Sequence, residues 1–73
     1  MPRKVYRVLP NSTLWQVKHN GQVLSNHYAK PLAVDAGRRV AQANMPSQLV
    51  IHRADGTIET EYTYGNDPYP PPG

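Results

Sequence analysis

Histidine and carboxylate side chains are the residues of this sequence best suited to acid–base or metal chemistry. The chain contains His19, His27 and His52 and no cysteine. The spacing of the histidines matches no zinc motif, and the lack of cysteine excludes thiolate ligands and a cysteine nucleophile. Glu59 and Glu61 lie two residues apart, as two carboxylates on one strand face would, but on an exposed strand they are ordinary acids. The sequence therefore predicts no metal site.

Catalytic and cofactor-binding motifs do not occur in the sequence. It contains no Gly-x-Ser-x-Gly elbow, phosphate-binding loop, dinucleotide fingerprint or His-Glu-x-x-His. A chain of 73 residues also leaves little room for a ligand pocket of about 300 Å³. We therefore predict a protein that is not an enzyme and has no cofactor.

Basic residues support a more specific functional hypothesis. All eight Lys and Arg residues but only one of the five acidic residues lie within residues 1–53, and the whole chain has a net charge of +3. A positive body with a negative C-terminal section suits a polyanion or a second copy of the chain, although solubility alone also explains such charge. Tyr28 is available to stack on a base. The predicted nucleic-acid-binding residues are Arg3, Lys4, Arg7, Lys18, Lys30, Arg38 and Arg39.

A proline-rich segment supports a competing hypothesis, which is protein interaction. Residues 65–73 are predicted to form an extended tail, because prolines at this density favour a polyproline conformation. Such a tail can dock into an aromatic groove of a partner, or fold back over Trp15 or Tyr64 of its own chain. The residues predicted to form the interaction tail are Pro68, Tyr69, Pro70, Pro71 and Pro72.

The strand pattern predicts two β-hairpins after a first strand at residues 5–9. Asn20-Gly21 and Asp55-Gly56 are typical of type I′ turns, which connect residues 14–19 to 22–26 and residues 49–53 to 57–64. Two-residue loops fix the register, so the first hairpin places Val17 opposite Leu24. The second places Arg53 opposite Ile58, His52 opposite Glu59 and Ile51 opposite Thr60. The predicted core side of the strands carries Trp15, Val17, Leu24, Leu49, Ile51, Ile58 and Tyr62.

Helical periodicity begins at about Lys30, with Pro31 in the first turn and Ala29 as a poor cap. Pro46 ends the helix. A glycine at position 37, in mid-helix, is unfavourable by about 1 kcal/mol unless close packing requires it. One stripe of the predicted helix consists mainly of small residues, namely Ala33, Ala36, Gly37, Val40, Ala41 and Asn44.

These elements predict a single α+β domain over residues 1–64, in the order hairpin, helix, hairpin (ββαββ), followed by the tail at 65–73. We expect a four-stranded antiparallel sheet with the helix packed on one face, which leaves the other face open. A homodimer would bury the valines of that face. The open face is predicted to carry Gln16, Lys18, Val23, Val50, His52, Glu59 and Glu61, and also Val5, Arg7 and Leu9 if Tyr6 and Val8 point inward.

The order of motifs resembles a small bacterial family, domain of unknown function 2188. The resemblance rests on the tryptophan strand at residues 15–18, the alanine-rich helix, residues 49–52 followed by 55–58, and the closing motif Gly-Asn-Asp-Pro-Tyr-Pro-Pro at 65–71. It spans nearly the whole chain, and the closing motif is its most specific part. The sequence departs from the family pattern at residues 29–32, where relatives open the helix with Thr-Lys and an acidic first turn. The resemblance implies a bacterial or phage-borne cytoplasmic protein and assigns no activity.

The sequence thus predicts a small cytoplasmic binding protein. No apolar run approaches the roughly 20 residues needed to span a bilayer, and residues 1–4 are not followed by an apolar signal core. Our first hypothesis is a regulatory protein associated with nucleic acid through its basic surface. The alternative is an adaptor that binds a protein through the open sheet face or the tail.

Overall fold

The protein is an α+β domain in which one helix packs on a five-stranded sheet. The computed structural model describes residues 3–65. The elements are β1 (Lys4–Asn11), β2 (Leu14–His19), β3 (Gln22–His27), α1 (Lys30–Ala43), β4 (Ser47–His52) and β5 (Ile58–Tyr64). The strand order is β3-β2-β1-β4-β5. Among the described residues, no helix is long and apolar enough to cross a bilayer. The predicted proline-rich tail lies, from residue 66 onward, outside the described residues.

The predicted ββαββ order and the purely antiparallel sheet are wrong, because β1 is the central strand. It pairs antiparallel with β2 on one side and parallel with β4 on the other. A two-residue loop joins β1 to β2 directly, so the hairpin of β2 and β3 occupies one edge of β1. Helix α1 then crosses the sheet and returns the chain to the other edge, where β4 runs in the same direction as β1. Central placement suits β1, because its Tyr6 and Val8 are both buried.

The first hairpin has the predicted turn and a bulge that the turn does not predict. Asn20 and Gly21 both have positive φ, at 53° and 79°, as a type I′ turn requires. The register shifts after Lys18 pairs with Val23, so that Val17 pairs with Ser25. Leu24 is the extra residue of this bulge. It is 42% exposed, and its predicted place in the core is wrong.

The second hairpin keeps the predicted register for Leu49, Val50 and Ile51 and departs from it only next to the loop. Ile51 pairs with Thr60 as expected, but His52 pairs with Ile58 and not with Glu59. Of Asp55 and Gly56, only Gly56 has positive φ, and its N–H donates to the carbonyl of Arg53. This is the pattern of a longer loop with glycine in the left-handed position, not of a type I′ turn. Ile58 therefore leaves the core side and is 47% exposed.

Helix α1 begins at Lys30 with Pro31 in its first turn, as predicted, and Ala29 provides no side-chain cap. Its buried residues are Ala33, Gly37 and Ala41, which confirms the small-residue stripe. A Cβ at position 37 would lie 2.9 Å from Leu49 Cδ1 and 3.1 Å from Val8 Cγ2. Close packing of helix and sheet therefore explains the mid-helix glycine.

The core lies between α1 and the sheet. Ser47 is fully buried there, and its hydroxyl donates to the carbonyl of Ala41 near the end of the helix. This hydrogen bond ties the end of α1 to the first residue of β4. The buried cluster comprises Tyr6, Val8, Val17, Ala33, Ala41, Leu49 and Ile51, with Trp15, Val34, Ala36, Val40 and Tyr64 packed against it.

Candidate nucleic-acid interface

The sheet face opposite the helix is open, and it combines basic, amide and apolar side chains. Side chains alternate between the two faces along each strand, so the residues next to the buried ones point away from α1. Glu59 was predicted on this face but instead contacts Lys30 of the helix. The open face carries Val5, Arg7, Leu9, Gln16, Lys18, Val23, Asn26, Gln48, Val50, His52, Ile58 and Glu61.

Arg7 and Lys18 lie side by side at the centre of the open face. They are direct cross-strand partners of β1 and β2. Together with Val5 and Leu9 they line a shallow depression of about 310 Å³. Like charges directly opposite each other are unfavourable in an antiparallel pair. Within the described part of the chain, neither residue has a carboxylate within salt-bridge distance to offset that repulsion.

His52, on the neighbouring strand β4, forms a hydrogen bond with the guanidinium of Arg7. The histidine is only 7% exposed, and its Nδ1 lies 2.8 Å from the carbonyl oxygen of Gly56. Because a carbonyl can only accept, Nδ1 carries the proton and Nε2 is free to accept. Nε2 lies 3.2 Å from Arg7 Nη1, which donates to it. A neutral histidine therefore positions Arg7 while the arginine side chain stays exposed.

The basic residues of the helix lie on the opposite side of the molecule. Lys30 forms an ion pair with Glu59, and Arg39 forms one with Asp35 at 3.0 Å. The hydrogen bond from the Lys30 ammonium, aided by its charge, holds the pKa of Glu59 below its usual range. Arg38 lies 5.9 Å from the ring centre of Tyr62. These cations are engaged within the chain, and none of them shares a surface with Arg7 and Lys18.

Arg3 and Lys4 lie at the start of β1. The guanidinium of Arg3 donates to the carbonyl of Tyr64 at 3.0 Å, across the chain ends of β1 and β5. Lys4 is exposed beside it and lines a second depression with Val5, His19 and Asn20. The seven predicted basic residues therefore do not form one continuous surface: the helix residues are separate, whereas the depression at Arg3 and Lys4 shares Val5 and Asn20 with the one at Arg7 and Lys18.

Two of the remaining acids also have partners within the chain. Asp55 accepts hydrogen bonds from the hydroxyl and the backbone N–H of Thr57, and these bonds lower its pKa. Glu61 accepts a hydrogen bond from Gln48 at 2.6 Å. Among the described residues, Glu61 is the one acid on the open face, and it lies on β5, two strands away from Arg7.

Tyr28 stands at the end of β3, at a corner of the open face. It is 87% exposed, the highest exposure among the large apolar or aromatic residues described. It lines a depression with Leu14, Asn26 and His27. Asn26 accepts a hydrogen bond of 3.0 Å from Gln16, its cross-strand partner. A ring at this corner is accessible to a ligand that extends along β2 and β3.

The histidines do not come together. His19 stacks on Tyr6, with ring centres 4.6 Å apart, and His27 hydrogen-bonds to the Ser25 hydroxyl at 2.8 Å. Within residues 3–65, no group of three His, Asp or Glu side chains is placed to hold a metal ion.

Sequence reasoning missed the link between His52 and Arg7, because it paired His52 with Glu59. The short segment 10–13 between two strand patterns is a signal that was available. A two-residue loop there pairs Arg7 with Lys18 and so predicts the basic centre of the face. The contact with His52 depends on the parallel pairing of β1 and β4, for which the sequence carries no comparable signal.

The structure defines a class of protein: a small α+β domain with a helix on one face of a mixed sheet and a basic, open second face. The chain belongs to the family described as "Uncharacterized protein conserved in bacteria (DUF2188)", whose model matches residues 6–64. The resemblance read from the sequence is thereby confirmed. No curated protein and no solved structure matches the chain.

Proposed function

We propose that this protein is a non-enzymatic, regulatory binding protein that binds nucleic acid through its open sheet face. One observation carries the proposal: Arg7 and Lys18 are adjacent at the centre of that face without a carboxylate partner among the described residues. Since their mutual repulsion is unfavourable, a bound anion would stabilise the pair. Phosphate suits both residues, because arginine and lysine are the usual phosphate-binding side chains.

The proposed interface predicts weak and salt-dependent binding. Two neutralised phosphates on a duplex correspond to a slope of about −1.8 in the logarithm of affinity against the logarithm of salt. Affinity should therefore fall roughly twelvefold between about 50 and 200 mM salt. A cytoplasmic location, which the sequence predicts, is part of the same proposal.

Fluorescence anisotropy with labelled oligonucleotides tests the proposal. Lys18→Gln should weaken binding and make the salt slope shallower by about 0.7 to 0.9, because one phosphate contact is lost. Arg39→Gln is the matched control, since it removes the same charge from the helix side, where Arg39 pairs with Asp35. If both variants weaken binding equally, binding depends on the net charge of the protein and not on the open face. No binding at about 50 mM salt would refute the proposal.

Exposed apolar side chains on the same face favour a second candidate, a protein-interaction adaptor. Val23 on β3 and Ile58 on β5 are 40% and 47% exposed. A protein partner, or a second copy in a homodimer, would bury them. Such association should survive salt that abolishes nucleic-acid binding, and Val23→Ser should weaken it. Sedimentation tests the homodimer, and deletion of residues 67–73 tests the tail. A monomer at high concentration would contradict the homodimer.

A further inference from the structure

We infer that the open face takes single-stranded nucleic acid, with phosphates at Arg7 and Lys18 and a base stacked on Tyr28. This inference rests on the proposed function and specifies its ligand. At one end of the site, the positive charges of Arg7 and Lys18 complement the negative charge of phosphate. At the other end, the exposed ring of Tyr28 is available to a base.

Tyr28 has the accessibility that base stacking needs. The residue is 87% exposed, and its ring makes no aromatic or cation contact with another described residue. A nucleobase would cover that ring. Stacking of one base on an aromatic side chain typically changes affinity by about fivefold or more.

The distance between the two ends of the site suits a short extended strand. Tyr28 follows His27, which pairs with Trp15, three residues from Lys18 along β2. At about 3.3 Å per residue, with one further step for Tyr28, the tyrosine lies roughly 13 Å from Lys18 along the strand direction. That is the span of a few nucleotides.

Polar groups lie between the basic pair and the ring. Gln16 and Asn26 share one hydrogen bond across β2 and β3, which orients both amides on the open face. Each amide keeps further donors or acceptors for the edge of an unpaired base. From the basic pair to Tyr28, the site therefore presents two cations, two side-chain amides and an aromatic ring, one after another along β2 and β3.

A duplex cannot place a base on Tyr28 while its phosphates contact Arg7 and Lys18. Bases in a duplex are stacked on one another, and the major groove admits a helix or a two-stranded ribbon rather than a broad sheet face. The helix of this protein lies on the other side of the sheet. In a single strand the bases are free to turn onto an aromatic side chain.

Titration of matched single-stranded and duplex oligonucleotides tests this inference, with DNA and RNA arms at about 50 mM salt. We expect the single strand to bind more tightly. Tyr28→Ala should weaken single-strand binding about fivefold or more and leave duplex binding unchanged, whereas Tyr28→Phe should retain it. An unchanged melting midpoint would show that the exposed substitution leaves the fold intact.

Two results would overturn the inference. One is equal or tighter binding of the duplex, and the other is unchanged single-strand affinity in Tyr28→Ala. If Lys18→Gln still weakens binding in that case, the proposed function stands and only the ligand class is wrong. If no oligonucleotide binds the wild-type protein, both proposals fail together.

Discussion

Replacing Gly37 with alanine tests whether helix–sheet packing or helix propensity controls stability at the centre of α1. In an exposed helix the change would stabilise by about 1 kcal/mol, because glycine is the more flexible residue. In this protein the new methyl would lie 2.9 Å from Leu49 Cδ1 and 3.1 Å from Val8 Cγ2. Carbon atoms pack best at about 3.5–4.0 Å, so both neighbours would have to move.

The two effects have opposite signs, and the packing effect should be the larger. An extra methyl in a well-packed core costs about 1–3 kcal/mol. Subtracting the propensity gain of about 1 kcal/mol leaves a destabilisation of roughly 0–2 kcal/mol for Gly37→Ala. In a domain of this size, each kcal/mol lowers the melting midpoint by about 4–8 °C.

Urea unfolding followed by the fluorescence of Trp15 measures the change. Gln42→Ala compared with Gln42→Gly gives the propensity difference at an exposed position of the same helix. Leu49→Val removes the nearest methyl, so Gly37→Ala should cost less stability in the Leu49→Val background than in the wild type. Stabilisation of about 1 kcal/mol by Gly37→Ala alone, matching the exposed control, would refute the packing argument.

Two further predictions concern the second hairpin. His52→Ala should destabilise the fold by about 0.5–1.5 kcal/mol, because the hydrogen bond from the buried His52 ring to the Gly56 carbonyl is lost. His52→Asn should recover part of this loss by restoring that donor, and urea midpoints that do not differ between the two variants would contradict the assigned hydrogen bond. The Lys30–Glu59 ion pair should stabilise the protein above the ordinary carboxyl pKa of 4.5 and lose its effect as pH falls through the lowered pKa of Glu59. The difference in urea midpoint between wild type and Glu59→Gln should therefore be present at about pH 6 and shrink progressively as the pH falls below 4.5 and through the lowered pKa of Glu59, and a difference independent of pH would contradict the ion pair.

Local signals in the sequence predict the elements and most of their bounds. Pro31 and the small-residue stripe predict the helix, and Asn20-Gly21 predicts its turn, since each signal acts within a few residues. Both bulges escape prediction, because the insertion of Leu24 depends on how β3 bends against its neighbours and not on a residue type. Asp55-Gly56 is compatible both with a two-residue type I′ turn and with a longer loop that has glycine in the left-handed position. The structure contains the longer loop.

Long-range pairing explains what the sequence could not predict about the candidate interface. The open face and most of its residues follow from strand alternation, and Arg7 joins Lys18 there on the condition that Tyr6 and Val8 point inward, which the structure meets. Their position opposite each other depends on the β1–β2 register, and the hydrogen bond from Arg7 to His52 depends on the β1–β4 pairing. The two-residue loop between β1 and β2 is a local signal for the first pairing, whereas the β1–β4 pairing joins distant segments and has no such signal.

The parallel seam between β1 and β4 sets the order in which the protein can assemble. Lys4 pairs with Ser47, so this seam joins residues separated by most of the domain. Hairpins close within about 1–10 μs, whereas the seam must first close a loop of some forty residues. During synthesis, β1 is made first but gains its second neighbour only after α1 and β4 have left the ribosome. Until then, half of the backbone hydrogen-bonding groups of the central strand face solvent, and that period is when the nascent chain is most exposed to mispairing.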